Sequence, residues 1–294
     1  MLNRIHATII TIILILAIAV SLIQMTFTNS ENSQSPLILT TFPGIDKDLE
    51  SLLAGCEMKI EHLVPSGVDP HDYQLKPSDY EKINSALLII STGHTPFEHQ
   101  IKDIAGDKVV EIPEIPNLTL YTLPSGAVNL HMPIYDPQNY IKYIEYVSSI
   151  IKSKIPECSD IIDQNKINLS ERAEKIYDEY ANILRGKPAI LSSPASQYAV
   201  AWLGVDIEGF ILVEHGTSTS PEQVSQAEEI LSHGGLAVII VDDNGEPVDQ
   251  ASSYLNSLAE KYGSPVLKVP APYLDTSTLD KILSITAQAE ELKK

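Results

Sequence analysis

The chain has 294 residues, 44% of them apolar and 20% charged, with a formal net charge of −19. That composition excludes a disordered chain, and the acidic balance excludes nucleic acid as a partner, because phosphate recognition needs clustered Lys and Arg. It suits instead a soluble domain outside a cell that attracts cations.

Ala7 to Met25 form an almost unbroken apolar run, about the span a bilayer requires. A secretory signal has a shorter apolar core followed by a small-residue cleavage site. Here Ala17-Ile18-Ala19 lies inside the run, which favours a membrane anchor over a cleaved signal. No cysteine lies at its end, so a lipidated N-terminal cysteine is excluded. The polar stretch Thr28 to Ser35 reads as a tether to the folded body. The expected place is therefore extracytoplasmic, tethered by this segment or secreted after its cleavage.

From Leu37 onward, apolar runs of strand length alternate with helical stretches, the signature of parallel α/β sheets. The predicted strands of the first half are Leu37 to Thr41, Lys59 to Val64, Ala86 to Ser91 and Val109 to Ile112. Those of the second are Ala189 to Ser192, Asp206 to Val213, Ala237 to Val241 and Pro265 to Val269. Between the halves, Cys158 to Leu184 contains no Gly or Pro and spaces its apolar residues as a long amphipathic helix. Ser277 to Lys294 reads as a last helix, with Ser277 as its N-cap. The expected fold is α/β: two lobes, 36–157 and 188–294, each with a four-stranded parallel sheet flanked by helices, joined by one long backbone helix within 158–187. Cys56 and Cys158 are the only cysteines; export makes a disulfide permissible, but sequence does not establish that they meet.

Ligands of open parallel sheets bind outside the carboxyl ends of the strands, so the loops there are where chemistry should lie. After the second strand comes LVPSGVDPHDYQLKPSD, whose prolines hold His71 stiffly at a strand end. This run resembles the first ligand loop of the cluster A-I (cluster 9) solute-binding proteins, the zinc- and manganese-binding receptors of ABC importers. The resemblance runs in order over nearly the whole chain after the apolar segment. It implies His71 as one metal ligand and His131, in Asn129-Leu130-His131-Met132-Pro133-Ile134-Tyr135-Asp136-Pro137, as a second. The family's histidine or glutamate after the fifth strand is replaced here by Ser193, and its aspartate after the last strand by Pro270.

Zinc normally takes four N, O or S donors, so others must come from elsewhere or from water. Glu214 and His215 end the sixth predicted strand, Asp242 and Asp243 the seventh, and His94 follows the third. Adjacent strand residues point to opposite faces, so one of the Glu214–His215 pair enters a site more easily than both. The order chosen is His215, then Asp242, then His94. His62 reads as a packed or edge residue, and His99 and His233 as exposed.

The resemblance implies a monomeric receptor, not an enzyme. It would carry zinc or manganese as transported ligand, zinc favoured by the nitrogen donors, and deliver it to an ABC permease in the membrane. Nothing matches H-E-x-x-H, G-x-S-x-G or a phosphate-cradling glycine loop, which leaves a metal-dependent hydrolase as the lesser alternative. The missing donors keep a second alternative open, a divergent binder of a metal chelate or other ligand. The long linking helix predicts rearrangement of local loops rather than a wide clamshell swing.

Overall fold

A computed structural model describes residues 35–212 and 219–293. The apolar segment, nearly all of the tether, and the Glu214–His215 pair lie outside the described residues. Among the described residues, no helix is long and apolar enough to cross a membrane.

The chain order is β1 (Leu37–Thr40), α1 (Pro43–Leu52), β2 (Lys59–His62), α2 (Pro77–Ser85), β3 (Leu88–Ser91), α3 (Pro96–Ala105) and β4 (Val109–Glu111). There follow α4 (Pro137–Lys154), α5 (Ser159–Tyr180), β5 (Pro188–Leu191), α6 (Gln197–Ala201) and β6 (Asp206–Phe210). The rest is α7 (Pro221–Ser232), β7 (Leu236–Val241), α8 (Gln250–Tyr262), β8 (Val266–Pro270) and α9 (Thr278–Leu292). Proline stands at the head of α1, α2, α3, α4 and α7, where its missing N–H costs nothing and its fixed φ suits the first helical turn.

Two four-stranded sheets result, in the orders β2-β1-β3-β4 and β6-β5-β7-β8, with every pairing parallel. The predicted α/β class is thus the observed one. β3 and β7 are interior strands buried along their whole length, as their unbroken apolar runs require, whereas the edge strands β2 and β6 stay partly exposed. In each sheet the order reverses beside the first strand, between β1 and β3 and again between β5 and β7. A crevice at the carboxyl ends is the geometric consequence.

The linking helix α5 has 22 residues, roughly 33 Å at 1.5 Å per residue. It runs antiparallel to α4 across a short turn, and at its start Cys158 is disulfide-bonded to Cys56, 102 residues away. A bridge closing a loop of that size stabilises by about 4.7 kcal/mol in the chain-entropy account.

The second tie between the halves is polar and buried. Asp48 of α1 is wholly enclosed; its carboxylate accepts from Thr278 N (2.9 Å) and Thr278 Oγ1 (2.6 Å) at the start of α9, and from Tyr140 Oη (3.4 Å) of α4. Burial pushes this carboxyl up to about 7, against the pull of Thr278 and the charge of Lys281. Lys281 is itself buried, which draws its ammonium down to about 8, and its Nζ donates to Pro272 O (2.8 Å) and Leu274 O (3.0 Å). Gly44 makes this approach feasible, since a Cβ there would stand 2.5 Å from Lys281 Nζ and 3.0 Å from Pro272 O. Tyr135 Oη adds a bond to Pro270 O at 2.9 Å.

Replacing Asp48 tests this seam. Asp48→Asn keeps an acceptor for Thr278 N and can donate to Thr278 Oγ1, whereas Asp48→Ala strands both donors and should cost about 2–3 kcal/mol. A carboxyl at about 7 in the fold against 3.8 when free means the native state holds its proton more tightly. Its contribution therefore falls as pH rises from about 4 through 7. Urea denaturation at about pH 5 and pH 8 should show the wild type losing stability relative to Asp48→Asn; a constant gap would show a carboxylate that does not titrate in that window.

Candidate metal centre

Three imidazoles meet at the carboxyl end of the first sheet. His71, His94 and His131 each offer a ligand nitrogen, and these nitrogens lie within 4.8 Å of one another. The ring centroids are 4.6 Å apart for His94 and His131, 5.5 Å for His71 and His94, and 6.2 Å for His71 and His131.

Each ring is aimed by the side chain two residues upstream. Asp69 Oδ1 lies 2.9 Å from both His71 N and His71 Nδ1, and Pro70 fixes the turn between them. Thr92 Oγ1 lies 3.0 Å from His94 Nδ1, with Gly93 at φ +69° turning the chain directly off β3. Asn129 Oδ1 lies 2.9 Å from both His131 N and His131 Nδ1. With Nδ1 engaged from upstream in every case, Nε2 is the nitrogen left for an ion, the arrangement that metal-binding histidines use. Met132, buried and left-handed at φ 49°, follows His131 and turns the chain into the Pro133 turn before α4. A non-glycine residue held there carries backbone strain, which tends to gather at functional sites.

The partners of these partners differ. Thr92 donates its hydroxyl to Glu98, a fully buried carboxylate that also accepts from Ser91 Oγ, Thr92 N, Thr95 N and Thr95 Oγ1. Burial alone would raise Glu98, but the charge of His94 and the donors of Thr92 and Thr95 hold it below the usual carboxylate range. Asn129 donates through Nδ2 to Pro194 O (3.0 Å) and Gln197 Oε1 (2.7 Å), both beyond β5. Burial, helped by His94 and His71, drives His131 down to about 3. Burial also lowers His94, although Glu98 opposes it. Both shifts favour the neutral imidazole, the form that ligates a metal.

The rest of the run around His71 serves the scaffold. Asp79 accepts from Tyr73 Oη and Lys76 N, both at 2.8 Å, which clamps the His71 loop onto α2.

The three imidazoles open into a chamber of about 970 Å³, also lined by residues that follow β5, β6, β7 and β8. The sequence profile described as zinc-uptake complex component A, periplasmic (ZnuA), matches residues 38–281. The chain belongs to the ZnuA family. Manganese-binding lipoprotein MntA of Halalkalibacterium halodurans is 25% identical over 221 residues, 72% of this chain and 73% of that protein. Manganese ABC transporter substrate-binding lipoprotein PsaA of Streptococcus pneumoniae is 23% identical over 240 residues, 74% of this chain and 75% of that one. A crystal structure of ZnuA superposes with a TM-score of 0.70 at 17% identity, covering 88% of this chain and 98% of the other. At that identity the superposition bears on the fold. Both named lipoproteins are binding proteins rather than enzymes, one of them the substrate-binding lipoprotein of a manganese ABC transporter.

Within this ZnuA-family frame, the structure brings together three of the five candidate ligands, His71, His131 and His94. Asp242 does not join them: its Oδ1 accepts from Asn244 N (2.8 Å) and Glu246 N (2.9 Å), a local turn after β7. Those backbone donors, Glu246 first, hold its carboxyl below the usual range. His215 lies outside the described residues. Ser193 lines the chamber, and Pro270 spends its carbonyl on Tyr135. His62 is the edge residue expected, its Nδ1 2.5 Å from Asp46 Oδ2.

Sequence reasoning missed Asp69, Thr92, Glu98 and Asn129. A signal was present, because Asp69-Pro70-His71, Thr92-Gly93-His94 and Asn129-Leu130-His131 all place a short polar side chain two residues before histidine. Asn129→Ala should let the His131 ring turn, weakening divalent-metal binding by about 10–100-fold. Nitrogen NMR should show His131 passing from one Nδ1-protonated tautomer to a mixture. A single unchanged tautomer would sink the assignment of Asn129 as its positioning residue.

Proposed function

We propose that this chain is the extracytoplasmic receptor of an ABC importer, holding a divalent transition metal on His71, His94 and His131 and delivering it to a membrane permease. The metal is the cargo rather than a resident cofactor. The observation that carries the reading is the convergence of three imidazoles whose ligand atoms lie within 4.8 Å of one another. In a tetrahedral site with Zn–N near 2.0–2.1 Å, donors stand about 3.4 Å apart, so loading draws the rings together by roughly 1 Å. Zinc is favoured over manganese because an all-nitrogen set suits zinc and oxygen donors suit manganese.

Residues 36–157 and 188–294 act as the two lobes in this reading, with 158–187 as the link and the N-terminal apolar segment as the tether. The receptor works as a monomer. The family membership and the names of the relatives MntA and PsaA support the transport role, though those names point to manganese. Capture needs no bond chemistry: the donors exchange for water in the ion's shell, and proximity does the rest.

Calorimetric titration of the purified protein with zinc and with manganese tests the reading. About one ion should bind per chain, zinc the tighter, and His71→Ala, His94→Ala and His131→Ala should each weaken zinc by at least tenfold, about 1.4 kcal/mol. Asp242→Ala should leave the affinity unchanged. Absence of transition-metal binding, or indifference to all three histidine substitutions, would end the proposal.

A further inference from the structure

The chamber beside the imidazoles is far larger than an ion. At about 970 Å³ it compares with roughly 30 Å³ for one water and with the roughly 300–1,000 Å³ of pockets that enclose organic ligands. The three imidazoles stand at one side of it, all contributed by segments that precede α4.

The opposite wall has a different chemistry. Ala195, Leu212, Val224, Val248, Ala251 and Tyr254 supply it, from the turns and helices that follow β5, β6 and β7. Asp249 is the acid of that wall among the described residues, and its Oδ1 is engaged as the N-cap of α8, accepting from Ser252 N at 2.6 Å. Ser193, Thr219 and Gln250 add its neutral polar groups among the described residues. Among the described residues this wall offers a hydrated ion mainly apolar surface, which rewards the removal of hydrocarbon from water. An ion that carries an organic ligand would present hydrocarbon to this wall and its open positions to the nitrogens.

The geometry points to a cargo of this second kind: a divalent metal already bound to a small, largely apolar chelator, aromatic nitrogen donors being the class that fits best. The imidazoles take the metal's remaining coordination positions, and the second-sheet wall takes the flat face of the chelator. Tyr254 and Tyr273, both lining the chamber, offer rings for offset stacking. This rests on the metal-receptor reading and narrows its substrate.

The test titrates the full-length protein with three probes: zinc alone, the 1:1 zinc–2,2′-bipyridine complex, and the 1:1 zinc–ethylenediamine complex. The two chelates share charge and denticity and differ in apolar surface. The bipyridine chelate should bind at least tenfold more tightly than the ethylenediamine chelate. Ala195→Trp, which fills the chamber, should abolish that difference while leaving zinc alone within threefold. Val224→Gln, a half-buried lining position in the first turn of α7, should reduce the difference in the same direction and serves where the bulkier variant fails to fold. Equal affinity for the two chelates, or bipyridine merely stripping zinc from the protein, would overturn the chelate inference and leave the metal receptor standing. Failure of all three probes to bind would overturn both.

Discussion

Asp48 is the buried carboxyl on which the placement of the two sheets turns. A carboxylate removed from water is costly unless donors surround it. Here those donors come from the other end of the chain, Thr278 N and Oγ1 at the head of α9. The same contact locates the turn before α9, since Lys281 holds Pro272 O and Leu274 O from within. Pro272 and Tyr273 of that turn line the chamber, and so does Phe42, which immediately precedes α1. One satisfied carboxylate therefore fixes two walls of the cavity relative to each other. The Tyr135–Pro270 bond acts at another point of the same seam, while the Cys56–Cys158 bridge pins the start of α5 to the first lobe.

Within that frame the imidazoles are set locally. Each is gripped by a side chain of its own loop, and one of those grips, Asn129, is also held from beyond β5. The grips are graded in charge. Asp69 is an anion, Thr92 is a hydroxyl backed by the buried Glu98, and Asn129 is a neutral amide. A more anionic partner makes its histidine the stronger donor, so the three nitrogens are not equivalent even though their rings are close.

Much of this was legible before any coordinates. All eight strands were readable, the interior ones β1, β3, β5 and β7 most directly because strands covered on both faces are continuous apolar runs, and their ends shifted by only a few residues. β6 is the widest miss at its end, stopping at Phe210 where the apolar pattern continues to Val213. His71 and His131 stood out through long local motifs. His94 was ranked too low because its loop is short and has no such motif. Its place directly after β3, at the reversal of strand order, emerges only when the pairing of β1 with β3 is known. Asp242 was misplaced for the opposite reason. A strand end brings a carboxylate near the cleft, but Asn244 and Glu246 offer backbone donors at once, and the carboxylate folds back onto them.

The position of the imidazoles constrains how cargo could enter and leave. All three precede α4, so a movement of the second sheet relative to the first alters the chamber wall without breaking the donor set. A wide movement is opposed by α5, the disulfide and the buried seam at Asp48. Two side chains span the gap at the site itself: Asn129, and Tyr198, whose Oη donates to Asn129 O (2.6 Å) and accepts from Tyr121 N (3.0 Å). Asn129 uses its oxygen on His131 and its amide hydrogens on Pro194 O and Gln197 Oε1, and it is fully buried. An amide with its bonding capacity so committed cannot rotate alone, because each turn would strand a buried donor or acceptor at a cost of about 1–3 kcal/mol. A shift of the His131 ring on loading is therefore felt first at the Pro194 turn, the point where the second sheet meets the chamber.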